Sequence, residues 1–392
     1  MLRRDVLIGG GLAALAACAP KLPVSGPTAS GAVAGPTAPQ PWPPYRDAMA
    51  IDGAGGVDLV YPDDMEPADV ARLTAIELAS AHASGLTAVI MTVAPAGRFW
   101  LNDAAFEKTK RDMATWRAKL AEHPETFLLV EKSADLETAR RDKRLGVVFT
   151  FQGTEPLGED VERIPLFREL GVRVIQLTHN RHNLVGDGST ELGNAGLSNY
   201  GHEVVERLNA AKIVVDLAHG SQRTMHEGIA ASKAPMLISH TGCRALSDLP
   251  RCTGDVELRM LADRGGCAGM IFWPYLRTDT QPMAIDVVRH LEHAINVCGE
   301  DHVGIGTDAG VSPVDRSGSF EKDNREMIAA LVSQTILTKG RPADLYTFIP
   351  DLNVANRFEL LGGLLAARGH STTRIHKLLG GNFARVLRDV WG

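Results

Sequence analysis

Several familiar kinds of site are missing from this chain of 392 residues. None of its five cysteines forms a Cys-x-x-Cys pair, which argues against a thiolate zinc site. No Gly-x-Gly-x-x-Gly follows the first apolar run and no phosphate loop occurs, which weakens an open nucleotide-binding sheet. Past the N-terminus, no stretch reaches the roughly 18–20 apolar residues of a spanning helix. Aromatic content is only 5%, so the core has to come mainly from Val, Ile, Leu and Ala. The formal net charge of −6 is spread over interspersed signs, so neither nucleic acid nor a polybasic membrane surface is indicated.

What is present begins at the N-terminus. Arg3-Arg4 precede Asp5-Val6-Leu7-Ile8 and a run of apolar and small residues through Ala17. A basic start, a short apolar stretch and small residues before a cleavage point make an export signal rather than a fold element. The paired arginines resemble a twin-arginine signal. Leu15-Ala16-Ala17-Cys18 resembles a lipobox, which would make Cys18 the lipid-bearing first residue of a mature protein on the periplasmic side of the bacterial envelope. An ordinary signal peptide with a chance cysteine is the alternative. Residues 19–44 are rich in Pro, Gly, Ala, Ser and Thr and read as a flexible tether. Residues 45–392 then form the folded domain. Its cysteines, Cys243, Cys252, Cys267 and Cys298, read as incidental, although a Cys243–Cys252 disulfide would suit an oxidising compartment.

Within that domain, short apolar runs alternate with longer amphipathic stretches. The strand candidates are Ala48–Asp52, Leu86–Val93, Leu145–Phe151, Val172–Thr178, Lys212–Ala218, Ala234–Ser239, Cys267–Phe272 and His302–Thr307. They lack period-2 alternation, as expected for a parallel sheet covered on both faces. Phe127–Val130 competes for a strand place, as an insertion or an edge element. Helices are expected over Ser198–Ala211 and Ile285–Cys298, and two or three more follow Asp308, ending in Arg374–Val390. The fold class is α/β, a (β/α)8 TIM-type barrel, because polar residues cluster just after the strands: Asp52, Gln152, His179, His219, His240 and Asp308. A barrel gathers all of them on one rim.

His219 and His240 are each the first strongly polar residue at the end of an apolar strand. Neutral imidazoles so placed on successive strands can share one cation, although either alone would read as a capping histidine. Asp308 can take a proton from an activated water, or can cap the following segment. His179 can steady an oxyanion or make a structural hydrogen bond. Arg251 can grip a carboxylate, or be a solvated loop arginine. His202, His226, His290, His293 and His302 read as surface or packing residues.

Asp216-Leu217-Ala218-His219-Gly220-Ser221 and Ile238-Ser239-His240-Thr241-Gly242-Cys243-Arg244-Ala245-Leu246 resemble signature stretches of the renal (membrane) dipeptidases. Leu177-Thr178-His179-Asn180, Pro250-Arg251, Gly304-Ile305-Gly306-Thr307-Asp308 and Leu379-Gly380-Gly381-Asn382-Phe383-Ala384-Arg385-Val386 continue the resemblance. It implies a metal-binding barrel that hydrolyses dipeptides through two zinc ions bridged by a glutamate. In it, His219 and His240 correspond to the ligands of one zinc, His179 to the substrate-carbonyl histidine, Arg251 to the carboxylate grip and Asp308 to the proton-handling aspartate. Two departures stand out. Asp52-Gly53-Ala54-Gly55-Gly56-Val57-Asp58 has Ala54 and Gly56 where the family carries a histidine and an aspartate, and Gln152 stands at the bridging glutamate. Asp58 and Glu155 are the nearby carboxylates that could substitute.

The expectation is therefore an exported hydrolase of a dipeptide or a related small N-acyl compound. It would use one Zn2+ ion, with two the alternative, on His219, His240 and Gln152 or Asp308. A homodimer is compatible with this reading. The competing reading is a non-catalytic surface binding protein derived from such an enzyme.

Overall fold

The computed structural model describes residues 39–94 and 103–392. The export signal, Cys18 and the tether through residue 38 lie outside the described residues.

Eight parallel strands run in sequence order around a nearly closed barrel. They are β1 (Ile51–Asp52), β2 (Ala88–Thr92), β3 (Leu145–Phe151), β4 (Val172–Gln176), β5 (Val214–Asp216), β6 (Leu237–Thr241), β7 (Cys267–Met270) and β8 (Val303–Ile305). They correspond to the eight apolar runs, and their residues are almost all buried, as a sheet covered on both faces requires. Closure between β8 and β1 rests on the Gly53 N–H, which donates to the Ile305 carbonyl at 2.8 Å. The Thr307 N–H and hydroxyl add bonds to the Asp52 carboxylate at 2.8 and 2.5 Å.

Phe127–Leu129 is an edge element, as one of its two readings had it. It pairs with Leu145–Val147 in the lower half of β3, and β4 takes over the same side of β3 from Phe149 onward. One slot is thus shared by two segments.

The barrel floor is closed by the helix Asn382–Trp391. Its Phe383 is fully buried among Ile51, Val148, Val174 and Leu237. Gly53 and Gly304 make room for the ring, since a Cβ at either would strike it. The Asn382 amide anchors the helix by donating to the carbonyls of Glu300 and Val303 at 2.7 and 2.8 Å. The single helix expected over Arg374–Val390 is broken instead by a π-turn over Lys377–Gly381. There Gly380 lies so close to the backbone of Met49 and Ile51 that a side chain has no room.

Two sequence expectations need correction. The tether does not extend to Pro44: Trp42 is buried and meets the His376 ring edge-on at 5.2 Å, so the folded body begins ahead of Tyr45. Burying one indole there outweighs the solvation of the proline-rich residues around it. Cys243 and Cys252 are free thiols rather than a disulfide. Each faces a backbone carbonyl, Cys243 that of His290 and Cys252 that of Tyr275.

Removing the floor plug should be costly. We expect Phe383→Ala to lower unfolding free energy by about 3–5 kcal/mol, read from denaturant titration. A loss of under about 1 kcal/mol would show that the ring is not what fills the barrel floor.

Candidate metal centre and its surroundings

The upper rim is organised by a motif that occurs twice. The Asp216 carboxylate, at the end of β5, accepts from the backbone N–H of Ala218 and of Ser239, at 3.0 and 2.9 Å, and from the Ser239 hydroxyl at 2.5 Å. The Asp52 carboxylate, at the end of β1, accepts in the same way from Ala54 and from Thr307 of the neighbouring strand end. Burial raises both carboxyls above the ordinary range, and these hydrogen bonds offset only part of that rise. Each clamp ties one strand end to the next and fixes the residue that follows.

After the first clamp the chain turns sharply. His219 has φ of +61°, and Ser221 caps the next helix, its hydroxyl accepting from the Thr224 N–H. The imidazole of His219 is thereby set against that of His240, with their Nε2 atoms 2.8 Å apart. The Nδ1 atom of His219 lies 2.7 Å from Asn180 Oδ1, which can only accept. Nδ1 of His240 lies 2.8 Å from the Ser239 hydroxyl, whose own proton is committed to Asp216. Both rings therefore carry their proton on Nδ1, and two Nε2 lone pairs face each other. Burial and the nearby Arg251 charge keep both imidazoles neutral, well below the ordinary histidine pKa. Two such lone pairs repel unless a cation lies between them, and neutral imidazole is the form that binds Zn2+. Among the described residues no third histidine, cysteine or carboxylate completes a metal-holding group with them.

His179 stacks on His219 with ring centroids 4.2 Å apart. Burial and Arg251 hold its pKa down to about 4, so it too is neutral. Arg251 is buried, which removes the solvated-loop reading. Its Nη2 donates to the His240 carbonyl at 3.0 Å, while Nε and Nη1 have no partner among the described residues. A buried cation with unmade hydrogen bonds is costly, and an incoming anion removes the cost.

Asp308 follows the second clamp and has φ of +58°. Left-handed backbone at a residue other than glycine costs about 1–3 kcal/mol and persists only where the surroundings hold it. Here the Asp308 N–H donates to the Ala54 carbonyl at 2.6 Å and the Trp273 indole N–H donates to the Asp308 carbonyl at 3.0 Å. Ala309–Gly310 then pairs in parallel with Gly55–Gly56. Burial pushes the Asp308 carboxyl up to about 6, against the pull of Arg251 and a hydrogen bond from Gln152. The amide of Gln152 is thus engaged by Asp308, not by the histidine pair. Asp58 is exposed near Gly310, and the Glu155 carboxylate folds over Gly153. Neither joins the pair.

The structure brings His179, His219, His240, Arg251 and Asp308 to one rim. Sequence reasoning passed over the residues that orient them: Asn180, Ser239, Asp216 and Trp273. The repeat of Asp52-x-Ala54 in Asp216-x-Ala218 was the available signal. The five histidines set aside lie elsewhere: His226 pairs with Glu257 and His293 with Asp255, His290 and His302 bond to backbone carbonyls, and His202 is exposed on the helix Asn199–Ala210.

Comparison with known proteins agrees with the fold and gives the family. A family model described as membrane dipeptidase (Peptidase family M19) matches residues 46–336. A Klebsiella pneumoniae protein described only as lying in the pqqA 5' region is 26% identical over 72% of this chain and 95% of its own length. Dipeptidase tcpJ of Claviceps purpurea is 27% identical over 67% of this chain and 55% of its own length, so the chain spans about half of that relative. Among solved structures, an amidohydrolase from Pseudomonas aeruginosa superposes with a TM-score of 0.73 at 26% identity, over 89% of this chain and 98% of that one.

Proposed function

The chain belongs to the membrane dipeptidase family, Peptidase family M19, and from that premise we propose that it is an exported hydrolase that cleaves the amide bond of dipeptides or related small N-acyl compounds, using one divalent cation. The observation that carries this reading is the pair of Nδ1-protonated, neutral imidazoles whose Nε2 atoms face each other at 2.8 Å.

His219 and His240 would hold the cation, Zn2+ being favoured by their nitrogen donors, and when bound it would supply Lewis acidity to the attacking water and the scissile carbonyl. Arg251 positions the substrate, its free Nε–H and Nη1–H binding the terminal carboxylate. The Asp308 carboxylate takes a proton from the water as the oxygen–carbon bond forms. His179, stacked on His219, donates a hydrogen bond to the carbonyl oxygen as it becomes negative. Asp308 then returns the proton to the departing nitrogen as the carbon–nitrogen bond breaks, leaving an acid and an amine. Gln152 and Trp273 keep Asp308 in place.

Ala54, Gly56 and Gln152 motivate the competing reading of a non-catalytic binder, and dependence of turnover on Asp308 separates the two. Export rests on Arg3-Arg4, and membrane attachment on a lipid at Cys18. If so, Cys18→Ser releases the protein from the envelope membrane into the soluble periplasmic fraction, and unchanged membrane retention argues against the anchor.

Mass-spectrometric metal analysis of the purified domain should find about one equivalent, and His219→Ala should lose both the cation and turnover. Full activity after exhaustive chelation would overturn the mechanism. The pH profile gives a further check. Asp308 must be ionised to accept a proton, so kcat should hold above pH about 6 and fall about tenfold per unit below it. Asp308→Asn should cost about 100-fold or more in kcat and erase that acid limb. An acid limb that survives the substitution assigns it to another group.

A further inference from the structure

Arg251 is not the one arginine sunk beside this rim with hydrogen bonds unmade. Arg341, in the segment after the helix Phe320–Ser333, is 8% exposed. Its Nη2 donates to the Pro274 carbonyl at 2.8 Å, and its Nε and Nη1 are buried without a partner among the described residues. Burial alone does not account for this. Arg173 and Arg357 are equally buried, yet each bonds two or more backbone carbonyls. Among the described residues, Arg251 and Arg341 alone have both Nε and Nη1 buried and unpartnered.

The two arginines meet at one residue. The Arg251 guanidinium carbon lies 5.8 Å over the Tyr275 ring, and Arg341 binds the residue immediately before Tyr275. Burial pushes the Tyr275 hydroxyl up, and both arginines pull it the other way. The carboxylate whose charge acts on Arg341 is Asp279, but that group is exposed and already bonded to Arg277 Nε and Nη2 at 2.9 and 2.8 Å. With one desolvated guanidinium over the Tyr275 ring and the other bonded to the residue before it, each keeping Nε and Nη1 unpartnered, a single substrate carboxylate satisfies only one of the two. The group next to a dipeptide's terminal carboxylate is the side chain of its C-terminal residue, one or two methylenes away when that side chain is itself acidic. Arg341 also lies beyond residues 46–336, the stretch matched to the family.

We infer that Arg341 forms a second anion position next to Arg251, so that the preferred substrates are dipeptides whose C-terminal residue carries a side-chain carboxylate. This rests on the dipeptidase reading in one respect, that Arg251 holds the terminal carboxylate.

The test compares Ala-Asp with Ala-Asn, in both the L,L and L,D series, on the metal-loaded protein. A charge-assisted bond to Arg341 should favour Asp over Asn in kcat/KM by about 10- to 100-fold. Arg341→Gln should bring that ratio close to one, and Arg341→Lys should keep part of it. The same two dipeptides are titrated calorimetrically into Asp308→Asn protein, in which turnover is slowed, and the affinity ratio should match. If no dipeptide is hydrolysed but Asp still binds more tightly in an Arg341-dependent way, the hydrolase reading fails and the anion position stands. A ratio near one in the wild type, in turnover and in binding, overturns the inference. So does a ratio that Arg341→Gln and Arg341→Lys both leave unchanged. If Arg341→Gln does not fold, the wild-type ratio and the Lys variant decide.

Discussion

Each of the two facing rim histidines has its Nδ1 proton assigned by a group that can only accept it, and this constraint sets what the rim can do. Asn180 takes the proton of His219, while Ser239, its own hydroxyl proton committed to Asp216, takes that of His240. Were either Nδ1 free, the pair would settle into an ordinary Nε2–H···Nε2 hydrogen bond and nothing would be drawn between the rings. With both protons fixed, the short Nε2 separation is an unsatisfied demand for a cation. The outer partners thus decide the chemistry of the inner ones, as is general where histidine binds metal.

The same clamps carry the strain. His219 and Asp308 both hold left-handed backbone, and each follows a strand-end aspartate clamp: Asp216 with Ser239 before His219, and Asp52 with Thr307 before Asp308. The glycine-rich loop after β1 adds the second restraint on Asp308. Its Ala54 and Gly56 carbonyls accept from the N–H groups of Asp308 and Val311. Residues 53–56 therefore build the wall that aims the carboxylate, through backbone and not through side chains.

That distinction explains what could be read in the sequence. The eight strands were legible because a parallel barrel needs buried runs, and strand-end polar residues pointed to one rim. His219, His240, His179 and Asp308 stand out because each is the first polar residue past such a run. Trp42 was misplaced because a proline-rich neighbourhood hides one buried indole. Gln152 was read as a ligand because position suggested it, and nothing in one sequence records that its amide bonds Asp308. The functions of Ala54, Gly56 and Arg341 are illegible for a related reason. The first two act through carbonyls, and Arg341 is distant in sequence and brought beside Tyr275 only by packing.

Electrostatics connects these parts. Burial, reinforced by the Arg251 charge, depresses His179, His219 and His240 together and so keeps every imidazole of the rim neutral. Neutrality suits a cation at Nε2, but a cation placed there would also feel the buried guanidinium of Arg251. The two positive charges become compatible when an anion lies between or beside them. Asp308, half-ionised near pH 6, is one such anion, and a substrate carboxylate on Arg251 is another. Because linkage is reciprocal, an anion bound at Arg251 would strengthen the hold of the histidine pair on a cation, and a cation there would strengthen the hold on the anion. A site built this way would bind either partner weakly alone and both firmly together.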